Sequence, residues 1–329
     1  ALSSDSHERS TYTALGSFTG SIGYNGITVV VIPIVTYFSW VFTGELAESQ
    51  SGWTCFGIIV GLLGLLTAWT VAFGTKENES ALRSKAQKNG NPIEAFKAIF
   101  QNDQLLWVAL SYLLYAIANV ATTGVLIFLF KFILDNQAAY SLTGVIALVA
   151  GLVMAPLYPI LNKRIPRRYL YIGGMISMIA GYVMLGIFSD NIIMVFVALV
   201  LFYVPGTLIQ MTAILSLTDS IEYGQLKNGK RNEAVTLSVR PMLDKIAGAC
   251  SNGIVGFIAV AAGMIGDATA ADMTAANIGM FKVCAFYVPL GIIVLSLLVF
   301  LFKVKITEKM HDEIVEELEA KLAAGEISE

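Results

Sequence analysis

The sequence predicts an all-α membrane protein with eight transmembrane helices. One observation is its composition: of the 329 residues, 56% are hydrophobic and 14% are charged, whereas roughly 25% of the residues of a soluble domain carry charge. The other is a set of eight long apolar stretches, each able to form a helix of the roughly 20 residues that cross a bilayer core. A soluble protein of this composition would leave too much apolar surface in water, so an ordinary cytosolic enzyme is excluded.

Seven of the eight stretches contain no Asp, Glu, Lys or Arg at all. They cover residues 10–44, 49–75, 104–130, 136–162, 169–189, 191–218 and 283–302. The remaining stretch, residues 234–266, carries three charged residues near its start. Buried helices of soluble proteins rarely repeat eight times at this length, so the pattern predicts eight membrane spans.

Basic residues are distributed unevenly among the predicted loops. Of the 21 Lys and Arg, 17 fall in the amino-terminal segment, the loops 74–103, 163–168 and 219–233, and the tail 303–329, whereas Lys131 and Lys282 alone fall in the alternate loops. Because loops rich in Lys and Arg stay on the cytoplasmic side, we expect both ends of this chain in the cytoplasm.

The spacing of the spans predicts four regions. Two spans precede the long charged loop and six follow it, the layout of a protein with two six-helix halves that lacks its first four helices. We therefore expect residues 1–73 to be the last two helices of the first half and residues 104–302 to be the second half. Residues 74–103 form the middle loop, with a short helix starting at Asn91 and Pro92. Residues 303–329 form an amphipathic tail packed on the protein.

Charged residues inside the seventh predicted span are the best candidates for function. An ionised side chain at mid-bilayer costs about 3 kcal/mol, so such residues persist where they face a cavity or a partner. Arg240 and Asp244 are four residues apart and are expected to pair on one helix face. Lys245 is turned about 100° away, about 15 Å into the span. Its counter-charge is expected from the missing helices of the same chain or from the substrate, although snorkelling to the surface is the alternative.

Other reactive groups are scarce in the predicted spans. Asn119 and Gln210 could hydrogen-bond a polyol or, as polar residues often do, a neighbouring helix. His7 and His311 lie near opposite ends of the chain, so we expect no metal site. With one Asp and no His in any predicted span, the sequence does not predict an enzyme, and no basic patch suggests nucleic acid.

The segment 219–253 resembles a known family. Asp219, Glu222, Tyr223 and Gly224, followed by Arg231 and Glu233 and then by the seventh span, are similar to the segment between spans ten and eleven of glycoside–pentoside–hexuronide:cation symporters. The similarity is strongest to lactose and raffinose carriers of Gram-positive bacteria and extends over essentially the whole chain. It implies a major facilitator fold with eight of twelve transmembrane helices present, in a bacterial inner membrane.

The resemblance also implies a function and roles for particular residues. It implies symport of a galactoside such as lactose with H⁺ or Na⁺, without a cofactor; another glycoside, a pentoside, a hexuronide or a non-sugar solute is the alternative. The implied sugar-binding residues are Lys245, Arg240, Gln210 and Asn119. The implied coupling residues are Lys245, Asp244, Glu233 and Lys227.

Overall fold

The computed structural model describes residues 6–74, 100–229, 233–266 and 268–323, which are helical apart from short connections. Eight helices in these residues are long and apolar enough to cross a membrane, as the sequence predicts. In chain order they are α1 Ser6–Thr43, α2 Gln50–Gly74, α3 Asp103–Ile133, α4 Ser141–Asn162, α5 Arg167–Ile187, α6 Ile192–Asn228, α7 Glu233–Ala261 and α8 Ala275–Lys303. The ninth helix, α9, covers Glu308–Ala323.

Local signals in the sequence set several helix ends. Asn102 precedes α3, and its side-chain oxygen accepts a hydrogen bond from Leu105 N at 3.0 Å. Asn191 caps α6 in the same way, accepting from Ile193 N. Gly229 ends α6 in the left-handed conformation, with φ of 68°, which glycine adopts without steric cost. These caps satisfy backbone groups that a helix end leaves unpaired.

The chain divides into two compact units. The first consists of Ala1–Asn89 with Ala138–Leu152, and the second of Gly90–Gln137 with Val153–Glu329. In the first unit α1 packs on α2, where Gly52 lies so close to Val35 O that a Cβ on Gly52 would overlap it. Ser39 Oγ accepts hydrogen bonds there from the backbone and hydroxyl of Ser49. Many large apolar side chains of α2 are exposed, as expected of a surface that faces lipid.

In the second unit α3 lies against α6, α7 and α8, and α5 packs along α6. Two buried tyrosines of α5 join it to α3. Tyr171 Oη lies 2.9 Å from Ser111 Oγ, and Tyr182 Oη lies 2.9 Å from Thr122 Oγ1. Because the bilayer core offers no water, these hydroxyls must find partners on other helices.

Pro205 interrupts the hydrogen bonding of α6. A proline has no N–H, so the carbonyl four residues earlier, that of Leu201, loses its usual donor. Ser177 of α5 supplies a replacement, because its hydroxyl donates to Leu201 O at 3.3 Å. The break in α6 is therefore compensated by its neighbouring helix.

The structure corrects three boundaries. The sequence predicts a loop over 219–233, but α6 continues to Asn228, because its charged residues have partners on neighbouring elements. The last span begins at Ala275 rather than near residue 283, so Lys282 lies in a helix and not in an outer loop. The polar run that opens the chain is helical from Ser6, so Arg9 is not in a loop.

The other regional predictions have different outcomes. The predicted short helix at Asn91 lies outside the described residues. In the predicted amphipathic tail, Ile306, Ile314 and Leu318 are buried, and α9 packs on α6. Helix α7 is continuous through Pro241.

Candidate functional site

The candidate site lies where α3, α6 and α7 of the second unit meet. On α7 the predicted pairing of Arg240 with Asp244 is confirmed, with 3.8 Å between Nε and Oδ2. Asp244 has a further partner that the sequence did not indicate. Tyr112 of α3, which is 1% exposed, donates its hydroxyl hydrogen to Asp244 Oδ1 at 2.7 Å. The carboxylate thus accepts a hydrogen bond on Oδ1 and faces the guanidinium of Arg240 with Oδ2, and it ties α7 to α3.

Lys245 differs from its neighbour in the chain. Its side chain is exposed, and within the described residues it makes no ion pair or hydrogen bond. Asp244 already interacts with Tyr112 and Arg240. Asp244 and Lys245 are adjacent in the helix, and adjacent residues do not face each other. Lys245 therefore presents a free ammonium group in a segment long and apolar enough to cross a membrane.

Asn119 belongs to a polar chain that joins α3 to α6. Its Nδ2 donates to Tyr115 Oη at 3.1 Å, and Tyr115 donates to the carbonyl of Gly206 at 3.2 Å. Tyr115 is buried and Asn119 is half-buried. A Cβ at Gly206 would lie 3.4 Å from Tyr115 Oη, in van der Waals contact with it.

Gln210 lies on α6, one turn beyond Gly206, and its side chain is exposed. Thr212 turns inward instead, and its hydroxyl lies 3.1 Å from Tyr158 Oη of α4. The two polar residues of this stretch thus have different environments. Thr212 joins two helices, whereas Gln210 is available to a ligand.

The two remaining candidates, Lys227 and Glu233, lie elsewhere. Lys227 is exposed and pairs with Asp103 at the start of α3. Glu233 begins α7, about 18 Å along the helix axis from Lys245 at 1.5 Å per residue. The structure therefore does not bring these two residues together with Lys245. If they act in coupling, they act at a distance.

A second charged cluster lies at the end of the bundle where α9 packs. Arg167 NH1 is 2.6 Å from Asp219 Oδ2, and Arg167 Nε is 2.9 Å from Glu308 Oε1. His311 Nε2 lies 3.6 Å from Glu222 Oε2. A cavity of about 440 Å³ opens beside these residues. Arg167 thus connects α5 to both α6 and α9, and we call these five residues the tail cluster.

Neither site resembles a metal centre. Within the part of the chain that the structure describes, no group of three or more His, Cys, Asp and Glu side chains could hold a metal ion. The candidate residues of α3, α6 and α7 instead offer a free ammonium group, two amides and several hydroxyl groups. These groups form hydrogen bonds with polyhydroxylated or charged solutes.

Comparison with known proteins identifies the family. A family model described as MFS/sugar transport protein matches residues 1–308. The chain belongs to this family. The description of this family is one of sugar transport, and the eight long apolar helices of the described residues agree with a multi-pass membrane protein, as the sequence predicts.

Individual relatives agree with the family assignment. The chain is 51% identical to a lactose permease of Leuconostoc lactis and 46% identical to one of Lactobacillus helveticus, each over 99% of this chain. It is 37% identical to a raffinose carrier protein of Pediococcus pentosaceus over 97% of this chain. These matches cover 50%, 51% and 50% of the respective relatives, so the chain spans about half the length of the relatives it matches.

Tyr112 and Tyr115 are the residues of the site that sequence reasoning missed. They lie on one face of α3 with Asn119, at spacings of three and four residues, and both are buried. A buried tyrosine needs a partner for its hydroxyl group, and this need is the signal that could have indicated them. The sequence alone did not show which helix would supply the partner.

Proposed function

We propose that the protein containing this chain is a secondary transporter that carries a galactoside such as lactose together with H⁺ or Na⁺. The single observation that carries the proposal is the free ammonium group of Lys245 beside the ion pair of Arg240 and Asp244. The identity to two lactose permeases and a raffinose carrier supports the choice of sugar. The residues of the site fit a sugar because they offer hydrogen-bonding groups of both kinds.

In this proposal Lys245 donates hydrogen bonds to sugar hydroxyl groups, since an ammonium group has three donors and no acceptor. Asn119 and Gln210 contribute amides from α3 and α6. Arg240 and Asp244 neutralise each other and hold α7 in place through Tyr112. A carboxylate outside the described residues pairs with Lys245 in one state of the transport cycle and leaves it in another, so that the pairing follows cation binding.

We further propose that the protein lies in a bacterial cell membrane with the tail cluster on the cytoplasmic side. The bias of 17 among 21 basic residues toward one set of loops and ends supports this orientation. Lys227 and Glu233 would then act from the cytoplasmic side in coupling sugar to cation.

The test compares Lys245→Ala and Lys245→Arg in the whole gene product, reconstituted in proteoliposomes. Uptake of radiolabelled lactose is driven by an imposed pH gradient and, separately, by a Na⁺ gradient. We expect Lys245→Ala to lower driven uptake by at least about tenfold, equivalent to about 1.4 kcal/mol, and Lys245→Arg to retain part of it. Lys282→Ala is the matched control, because it removes a lysine from another apolar helix.

Undiminished coupled uptake by Lys245→Ala would remove Lys245 from the proposal. Competition against labelled lactose by unlabelled galactosides, pentosides, hexuronides and an apolar drug identifies the class of solute. Inhibition by galactosides supports the proposed function, whereas inhibition by one of the other classes alone favours the corresponding alternative.

A further inference from the structure

The polar chain formed by Asn119, Tyr115 and Gly206 has a fixed direction. The carbonyl of Gly206 has no hydrogen, so it enters this chain as an acceptor only. Tyr115 has a single hydroxyl hydrogen, and the 3.2 Å contact with Gly206 O uses it. Toward Asn119, 3.1 Å away, Tyr115 therefore offers only a lone pair. Asn119 must turn its NH₂ group to Tyr115.

This arrangement determines which end of the amide remains available. With Nδ2 turned to Tyr115, the side-chain oxygen of Asn119 points the other way. Within the described residues this oxygen has no hydrogen-bond partner. It is not one of the fully buried polar atoms that lack a partner, so it remains accessible. The half-buried Asn119 thus presents an accessible acceptor.

We propose that Tyr115 is a specificity-determining positioning residue that makes Asn119 an acceptor for a hydroxyl hydrogen of the sugar. The inference rests on the proposed function and deepens it, because it states that Asn119 recognises a hydrogen-bond donor of the sugar rather than an acceptor. Tyr115 does not touch the sugar in this proposal. It acts by preventing rotation of the Asn119 amide.

The polarity of the contact leads to a specific test with fluorinated sugars. Replacing a hydroxyl group by fluorine removes the hydrogen but keeps a weak acceptor. The probes are methyl β-galactoside and its four monofluorinated forms, at carbons 2, 3, 4 and 6, with binding measured on the whole gene product. At one carbon we expect fluorine to weaken binding about tenfold, the loss expected when a hydrogen bond to Asn119 is removed.

The decisive variant is Tyr115→Phe, which keeps the ring and removes the hydroxyl group. The amide of Asn119 then rotates and offers an N–H to fluorine, so the affinity ratio of the parent sugar to the fluorinated sugar at that carbon falls to about twofold. Tyr182→Phe, which removes another buried hydroxyl group, should keep the full penalty. A general loss of packing would weaken all the sugars equally and would not change their ratio.

A rescue distinguishes positioning from other effects. A carboxylate has no N–H to present, so the double variant with Tyr115→Phe and Asn119→Asp should regain the fluorine penalty. Asn119→Asp alone should keep the penalty and Asn119→Leu should abolish it, which tests the inference even if Tyr115→Phe does not fold.

A penalty that is unchanged in Tyr115→Phe, or that persists in Asn119→Leu, overturns this inference but leaves galactoside transport standing. A complete lack of galactoside binding by the wild-type protein overturns the proposed function and this inference with it.

Discussion

Tyr112 Oη donates a hydrogen bond to Asp244 Oδ1 over 2.7 Å and so connects α3 with α7. The acceptor is a carboxylate that also pairs with Arg240, 3.8 Å away. A hydrogen bond to a charged group is typically worth about 1.5–3 kcal/mol. The side chain of Asp244 is 41% exposed and also pairs with Arg240, so we take the lower end of this range for the contribution of Tyr112.

We therefore predict that Tyr112→Phe lowers the apparent melting temperature of the purified protein by about 2–4 °C. Tyr169→Phe is the control, because Tyr169 is exposed and its hydroxyl group joins no helices within the described residues. The double variant with Asp244→Ala should be no less stable than Asp244→Ala alone, since the two residues share one interaction. Additive losses of stability would contradict the interpretation.

The tail cluster leads to a prediction about proteolysis. Glu308 is the residue of α9 that pairs with Arg167, so Glu308→Gln should loosen the start of α9. We expect trypsin to cut after Lys305 and Lys309 several-fold faster, because cleavage follows local opening. Glu313→Gln is the matched control in the same helix, since Glu313 is 64% exposed and pairs only with Lys309 in the described residues. Equal cleavage rates in the two variants, measured by mass spectrometry, would show that Arg167 does not fasten α9.

Close packing of α5 on α6 leads to a third prediction. A Cβ at Gly181 would lie 3.0 Å from the backbone oxygen of Ala198 and 3.4 Å from Leu201. Backbone atoms cannot rotate away, so Gly181→Ala must separate the two helices and costs about 1–3 kcal/mol. Gly173→Ala on the same helix meets nothing within 4 Å and should be neutral or slightly stabilising. Thermal unfolding in detergent measures both, and an equal effect of the two substitutions would contradict the packing argument.

Most of the fold could be predicted because a bilayer imposes a simple rule. A stretch without charges must be about 20 residues long to cross it, and seven of the eight spans followed directly from this rule. The rule identifies the segment that lies in the bilayer core, however, and not the ends of the helix. It missed the extension of α6, whose Asp219 and Glu222 pair with other elements, although Gly229 after Asn228 was a local signal for the end of that helix.

The site could be predicted only in part, for a different physical reason. The pair Arg240 and Asp244 depends on spacing within one helix, which a sequence displays directly. The contacts of Tyr112 and Tyr115 depend on which faces of separate helices meet, and no spacing along the chain contains that information. Lys245 was correctly predicted to lack Asp244 as a partner, and its role stays a prediction.

The hydroxyl group of Ser177 that replaces the missing donor at Leu201 has a mechanical consequence. A helix that lacks one backbone hydrogen bond would ordinarily bend there independently of its neighbours. Here the bend in α6 is coupled to α5, because a change in it would break the hydrogen bond from Ser177 Oγ to Leu201 O. We therefore expect α5 and α6 to move together, so that any motion that Pro205 permits in α6 also displaces α5.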